Sequence, residues 1–205
     1  MSGHSEQIHP TSTKIVISGG FGVGKTTLIG AISEIEPLVT EAAITEASVG
    51  VDNVGGLANK TTTTVALDFG RITLDRSLVL YLFGTPGQER FNFLWDDLAD
   101  GALGAIVLVD TRRIDDCYPV LDYFEDREMP FLVAVNLFDD AARFDLAEVR
   151  EALGVKQAPI VECDARSRED VKKVLVSLTE QVLIRRAAQV NSGSTFPGTD
   201  ESRSC

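Results

Sequence analysis

The chain has 205 residues, 44% hydrophobic and 24% charged, which suits a single globular domain with a sizeable core. Nineteen Lys and Arg against 31 Asp and Glu give a formal net charge of -12, and such a field repels phosphate backbones and anionic lipid heads. A nucleic-acid partner does not fit this balance, no apolar run approaches a bilayer span, so direct membrane insertion is not expected, and three cysteines without metal spacing suit a reducing, cytoplasmic compartment.

Residues 1–13 lack a basic region followed by an apolar stretch and read as a leader rather than a secretory signal. Residues 14–188 read as the folded domain. Residues 189–205, rich in Ser, Gly and Pro, read as a disordered tail whose Cys205 is last, not fourth from the end as prenylation requires. Between them, the short apolar runs "KIVIS", "LVLYLFG", "GAIVLVD", "FLVAVNLFD" and "APIVEC" alternate with helical spacings or turn signals. That alternation predicts an α/β fold, a parallel sheet with helices on both faces. A first helix is expected over Thr26 to Ile35, ending near Pro37, and an amphipathic last helix over Arg168 to Ala188. In "TTVALDFGRITLDRSLVLYLFG" two β-rich runs flank "LDRS" with no room for a crossover helix, so they should form an antiparallel hairpin.

After the first strand-like run comes "SGGFGVGKTT", in which Gly19, Gly24, Lys25 and Thr26 fit the pattern G-x-x-x-x-G-K-[ST]. Without Cβ atoms, such a loop turns backbone N–H groups inward around a polyphosphate, and the helix that follows presents its positive end. Gly19, Gly20, Phe21, Gly22, Val23, Gly24, Lys25, Thr26 and Thr27 are the expected phosphate contacts. Lys25 would reach the β- and γ-phosphates and the Thr26 hydroxyl would bind Mg²⁺. The alternative is a glycine-rich turn with no ligand.

The run "FLVAV" leads into Asn136 and Asp139. A carboxylate there can accept from guanine N1–H and its exocyclic amine, whereas adenine has no N1 donor. Ala165, in the loop after the next strand, could offer its N–H to guanine O6. Equally, Asn136 and Asp139 could cap the next helix.

Over roughly Lys14 to Ala188 the order of parts resembles the Ras-like small GTPases. "GTPGQERF", Gly84 to Phe91, is similar to their switch II, with Gly87 on the γ-phosphate glycine and Gln88 on the glutamine that positions water. "TVALDF", Thr64 to Phe69, is similar to the strand after switch I and puts Thr64 on the Mg²⁺-binding threonine, with Thr61, Thr62 and Thr63 adjoining it. The Pro in "TPGQ", the missing motif lysine and the long interval before Thr64 resemble the bacterial gliding-motility polarity GTPases and the GTPases of conservon operons. The resemblance implies a Ras-like three-layer sandwich with a mostly parallel six-stranded sheet and one antiparallel strand. It also implies a GTP/GDP switch with Mg²⁺ at Thr26 and Thr64 and two partners, a roadblock-type regulatory protein and a sensor-kinase-like membrane protein. Gln88 and the absence of an assigned arginine finger predict slow hydrolysis, aided by Lys25 and Gln88, that a partner accelerates. Three departures stand out: Gly84 where those proteins carry an Asp, Leu137 where they carry a lysine, and a long insertion from Glu36 to Thr63. Gly84 and Leu137 leave open a nucleotide-bound interaction module that hydrolyses nothing, and the P-loop alone leaves open an ATPase. Arg71, Arg90, Arg112 and Arg113 are candidate arginine fingers or ordinary surface charges.

Overall fold

A computed structural model describes residues 11–36, 38–45, 62–74, 77–87 and 91–192. Its elements in chain order are β1 (Thr11–Ser18), α1 (Lys25–Ile32), β2 (Leu38–Thr45), β3 (Thr62–Thr73), β4 (Leu78–Gly84), α2 (Leu94–Ala99), β5 (Gly104–Val109), a 3-10 segment (Thr111–Cys117), α3 (Tyr118–Asp126), β6 (Phe131–Asn136), α4 (Leu146–Leu153), β7 (Ile160–Cys163) and α5 (Arg168–Ser192). The strands form one sheet in the order β2-β3-β4-β1-β5-β6-β7. Neighbours run parallel from β4 through β7, while β3 is antiparallel to both β2 and β4.

The α/β class, the mostly parallel sheet, its single antiparallel strand and the β3–β4 hairpin are as the sequence predicts. The described sheet has seven strands rather than six. The additional one, β2, lies in the stretch read as an insertion, where "LVTEAAIT" pairs residue by residue with β3 from Leu38 opposite Phe69 to Thr45 opposite Thr62. The first helix stops at Ile32, short of Ile35, because the Ser33 hydroxyl bonds the Ile35 backbone and ends the helical ladder. β1 starts at Thr11, before Lys14, and α5 runs past Ala188 to Ser192.

Alternation along β1 divides the core. Ile15 and Ile17 face α1 and α5, meeting Leu28, Ile29, Val174 and Leu178, while Val16 faces the other layer with Trp95, Val120, Phe124 and Val149. Every residue of β5 and β6 is buried, as expected of central strands covered by helices on both faces. α4 is set by a capping box between Asp145 and Glu148 and closed by Gly154 in the left-handed region. This frame leaves the loops after β1, β4, β6 and β7 together at the carboxyl edge of the parallel strands, where α/β sheets bind ligands.

Candidate nucleotide site

The loop between β1 and α1 is built by its glycines. Gly19 has φ +136° and a Cβ on it would lie 2.4 Å from the Leu108 carbonyl oxygen. Gly24 has φ +107° and a Cβ there would lie 2.6 Å from Asn136 Nδ2. A side chain would be strained by the backbone angle at both positions, and at Gly19 it would also meet unyielding backbone. Lys25 folds back under the loop, its Nζ donating to the carbonyls of Gly19 and Gly20 at 2.8 Å each. Burial pushes this ammonium down to about 8, opposed in part by the nearby Asp68 charge. An almost dehydrated cation ringed by backbone is a charge prepared for an anion.

Asn136 bolts the site together. Its Nδ2 donates to the Val23 carbonyl at 2.8 Å and its Oδ1 accepts from the Ala165 N–H at 3.0 Å, so one buried side chain joins the loops after β1, β6 and β7. The Ala165 N–H expected to face guanine O6 is therefore engaged by Asn136 in this conformation. Asp139 stands at the rim, its two oxygens accepting from Arg166 at 2.8 and 2.9 Å, and Arg166 also grips Asp164. Arg166 holds both carboxyls below the usual carboxylate range. Sequence reading gave Arg166 no role, although its place directly after Ala165 was the available signal. Between these groups and the glycine loop lies a cavity of about 390 Å³, bounded by Gly24, Thr27, Leu137, Asp139, Ala165 and Arg166.

The segment that resembles switch II begins against the same loop. Thr85 donates its N–H to the Ile17 carbonyl at 2.9 Å, and its hydroxyl lies 2.9 Å from that of Ser18. A Cβ on Gly87 would lie 2.7 Å from the Phe21 Cα and 2.8 Å from Lys25 Nζ, so this backbone touches the phosphate loop directly. Gln88 and Arg90 lie outside the described residues, as do 1–10, 46–61 and 193–205. Phe91 and Trp95 are buried in the core, leaving Phe93, 53% exposed, as the apolar side chain facing out beside switch II. Arg113 donates to the Phe21 carbonyl at 2.8 Å, while Arg112 lies over the Phe138 ring and pairs with Asp110 and Asp140.

Thr26 and Thr64 do not meet. The Thr26 hydroxyl donates to Asp68 Oδ2 at 2.7 Å, whereas Thr64 pairs with Ala43 inside the β2–β3 ladder. Four residues of strand separate Thr64 from Asp68, about 13 Å at ~3.3 Å per residue, so the expected Thr26–Thr64 metal pair is not assembled in this conformation. The donors around Thr26 are oxygens, which suit a hard cation such as Mg²⁺. Among the described residues no three His, Cys, Asp or Glu gather to hold a metal by themselves, so a cation here needs phosphate oxygens as well. Cys117 and Cys163 are buried thiols, each pushed up to about 12 by desolvation, and take no part in the site.

Comparison with known proteins agrees with this geometry. A family model described as "Conserved hypothetical ATP binding protein" matches residues 17–194. An uncharacterized protein of Methanocaldococcus jannaschii is 28% identical over 66% of this chain and 76% of its own. The Ras-related protein SEC4 of Saccharomyces cerevisiae is 25% identical over 82% of this chain and 74% of its own. Among solved structures, the G domain of the T. maritima FeoB iron transporter superposes with a TM-score of 0.58 at 20% identity, covering 83% of this chain and 99% of that domain. The cytosolic domain of the same transporter in its GDP form gives a TM-score of 0.60 at 19% identity, over 85% of this chain and 64% of that one.

Proposed function

The chain belongs to the family described as conserved hypothetical ATP binding proteins, and we propose that within it this member is a guanine-nucleotide switch that binds Mg-GTP and slowly hydrolyses it to GDP. The observation that carries the reading is the union, through Asn136, of a phosphate loop holding a buried Lys25 with a cavity rimmed by Asp139. Lys25 exchanges the carbonyls of Gly19 and Gly20 for phosphate oxygens, and the N–H groups of the loop and of Gly87 surround them. Asp139, released from Arg166, accepts the two donors on guanine's edge, and the Arg166 stem takes over the packing that Leu137 cannot supply. When bound, Mg²⁺ neutralises charge on the β- and γ-phosphates; Thr26 would hold it, and Thr64 joins only if the Thr62–Thr64 end of the β2–β3 ladder opens.

Gln88 orients a water in line with the γ-phosphorus; the new P–O bond forms as the bond to the β–γ bridging oxygen breaks. Loss of the γ-phosphate frees Gly87 and with it the switch II segment, changing the surface that carries Phe93. A roadblock-type regulator and a sensor-kinase-like membrane protein are the proposed readers of that surface, acting on a cytoplasmic protein that partners recruit to the membrane. Among the described residues no helix is long and apolar enough to cross a membrane.

One observation favours a second reading. Arg166 already engages each Asp139 oxygen once and competes with a guanine edge for this carboxylate, whereas adenine needs no acceptor there, so the pocket would take ATP, as the family's description has it. The hydrolysis itself is tested by phosphate release in a single turnover of GTP-loaded protein. The reading expects slow release that Gln88→Ala abolishes. A triphosphate retained indefinitely, or a fast rate unchanged in Gln88→Ala, contradicts it.

A further inference from the structure

The sequence has no carboxylate at the end of β4, where Gly84 stands. Across the antiparallel ladder the residue paired with Gly84 is Asp68 of β3. A Cβ built on Gly84 would lie 2.9 Å from the Asp68 Cβ and 3.1 Å from its Oδ2. The two positions therefore compete for one side chain's space, and β3 fills it. From there Asp68 Oδ2 accepts the Thr26 hydroxyl proton at 2.7 Å, and the same carboxylate is the charge felt by Lys25.

The direction of that hydrogen bond matters. A threonine hydroxyl has one proton and two lone pairs; with its proton committed to Asp68, its lone pairs are the part left for a cation. Asp68 itself keeps Oδ1 for a cation-bound water, and Mg²⁺ commonly takes one or two carboxylates together with substrate phosphates and water. Strand alternation holds the group in place. Phe69 stacks with Tyr81 and lies tilted against Phe83 on one side of the sheet, which leaves Asp68 on the side of α1, where Thr26 lies.

We propose that Asp68 is the carboxylate of this protein's Mg²⁺ site, supplied from β3 across the sheet in place of the one missing at Gly84, and that it holds the cation between Thr26 and the bound phosphates. The inference rests on the Mg-nucleotide reading above. It differs from a structural role, in which Asp68 merely receives the Thr26 hydroxyl and the cation is indifferent to it.

The test is the dissociation rate of a fluorescent GDP analogue, titrated with free Mg²⁺, for three proteins: wild type, Asp68→Asn, and the exchange Asp68→Gly with Gly84→Asp. In the wild type Mg²⁺ slows dissociation with a defined midpoint. Asp68→Asn raises that midpoint about ten- to a hundredfold, the usual cost of losing an outer carboxylate at a metal site. The exchange returns a carboxylate to the same gap from the opposite strand, with the crowding Cβ removed, and restores the midpoint to within a few-fold. An Asp68→Asn protein with the wild-type midpoint overturns the assignment. Should that single variant not fold, the exchange decides, since a folded exchange protein with a midpoint tenfold or more above wild type overturns it equally. A wild type that binds no guanine nucleotide, or releases it at a rate indifferent to Mg²⁺, overturns instead the reading on which the assignment stands.

Discussion

Asn136 shows how a residue lining the cavity can also hold the site's loops together. Its side chain is the partner of two buried backbone groups, the Val23 carbonyl and the Ala165 N–H, in two different loops. Asn136→Ala leaves both without that partner at about 1–3 kcal/mol each. Urea unfolding should show a loss of about 2 kcal/mol or more at an unchanged slope, with nucleotide affinity down at least tenfold; a stable variant that binds normally would refute the bolt. Lys25 gives a pH signature. Its ammonium sits at about 8 in the free protein against 10.5 when unperturbed, and bound phosphates raise it again. Binding should therefore take up a proton above pH 8, little at pH 7, and affinity should fall as pH rises from 8 toward 10. In the nucleotide-free protein the sign is reversed for folding: between about 8 and 10.5 the unfolded chain holds more protons, so this residue's contribution to stability rises with pH. Calorimetry in two buffers of different ionisation enthalpy measures the proton uptake, and none at pH 9 would contradict the assignment. The phosphate loop was legible because its chemistry is written in consecutive residues. Asp68 was not, since its meaning comes from lying opposite Gly84 and no spacing along the chain reveals a cross-strand neighbour. Arg166 was hidden likewise, a surface arginine until the fold sets Asp139 beside it.

At the scale of elements, the strands with continuous apolar runs and the hairpin around "LDRS" were readable from period and turn chemistry. β2 was not, because "LVTEAAIT" is short and mixed, and its pairing with β3 is a cross-strand relation that no spacing along the chain reveals. The contact between switch II and the phosphate loop belongs to this scale. Gly87→Ala would drive a methyl into the Phe21 backbone, which has no flexible end to yield. The segment should be displaced, with GTP affinity falling more than GDP affinity, roughly tenfold more if one γ-phosphate contact of about 1.4 kcal/mol is lost. Equal losses for the two nucleotides would show that Gly87 does not sense the γ-phosphate. Trp95 reports on the same movement. It is the chain's single tryptophan, packed edge-on against Tyr123, with an indole N–H that has no hydrogen-bond partner among the described residues. Its emission should differ between the GDP and GTP-analogue complexes, and identical spectra would argue against a switch II that moves near it.

For the whole molecule, the nucleotide is a staple. The site spans loops after β1, β6 and β7, so a ligand there ties the centre of the sheet and α1 to its β6–β7 edge. At a hundred times its dissociation constant a ligand stabilises the folded state by about 2.7 kcal/mol, which for a domain of this size is roughly a 5–10 °C rise in melting temperature. A smaller shift at that saturation would show that the unfolded chain binds the nucleotide as well. The net charge of -12 works against any polyanion, so the field that matters is local: the buried Lys25, the loop N–H groups and the start of α1. These are blind to the base. In the proposed reading the choice between guanine and adenine rests on one carboxylate, Asp139, and on whether Arg166 yields it. The measurement that decides is competitive calorimetry with GDP, GTP, ADP and ATP, with and without Mg²⁺, on the wild type and on Asp139→Asn. The account predicts guanine selectivity of at least a hundredfold, tighter binding with Mg²⁺, and loss of the selectivity in Asp139→Asn. Equal binding of ATP and GTP by the wild type would contradict it and leave a P-loop protein that does not read its base.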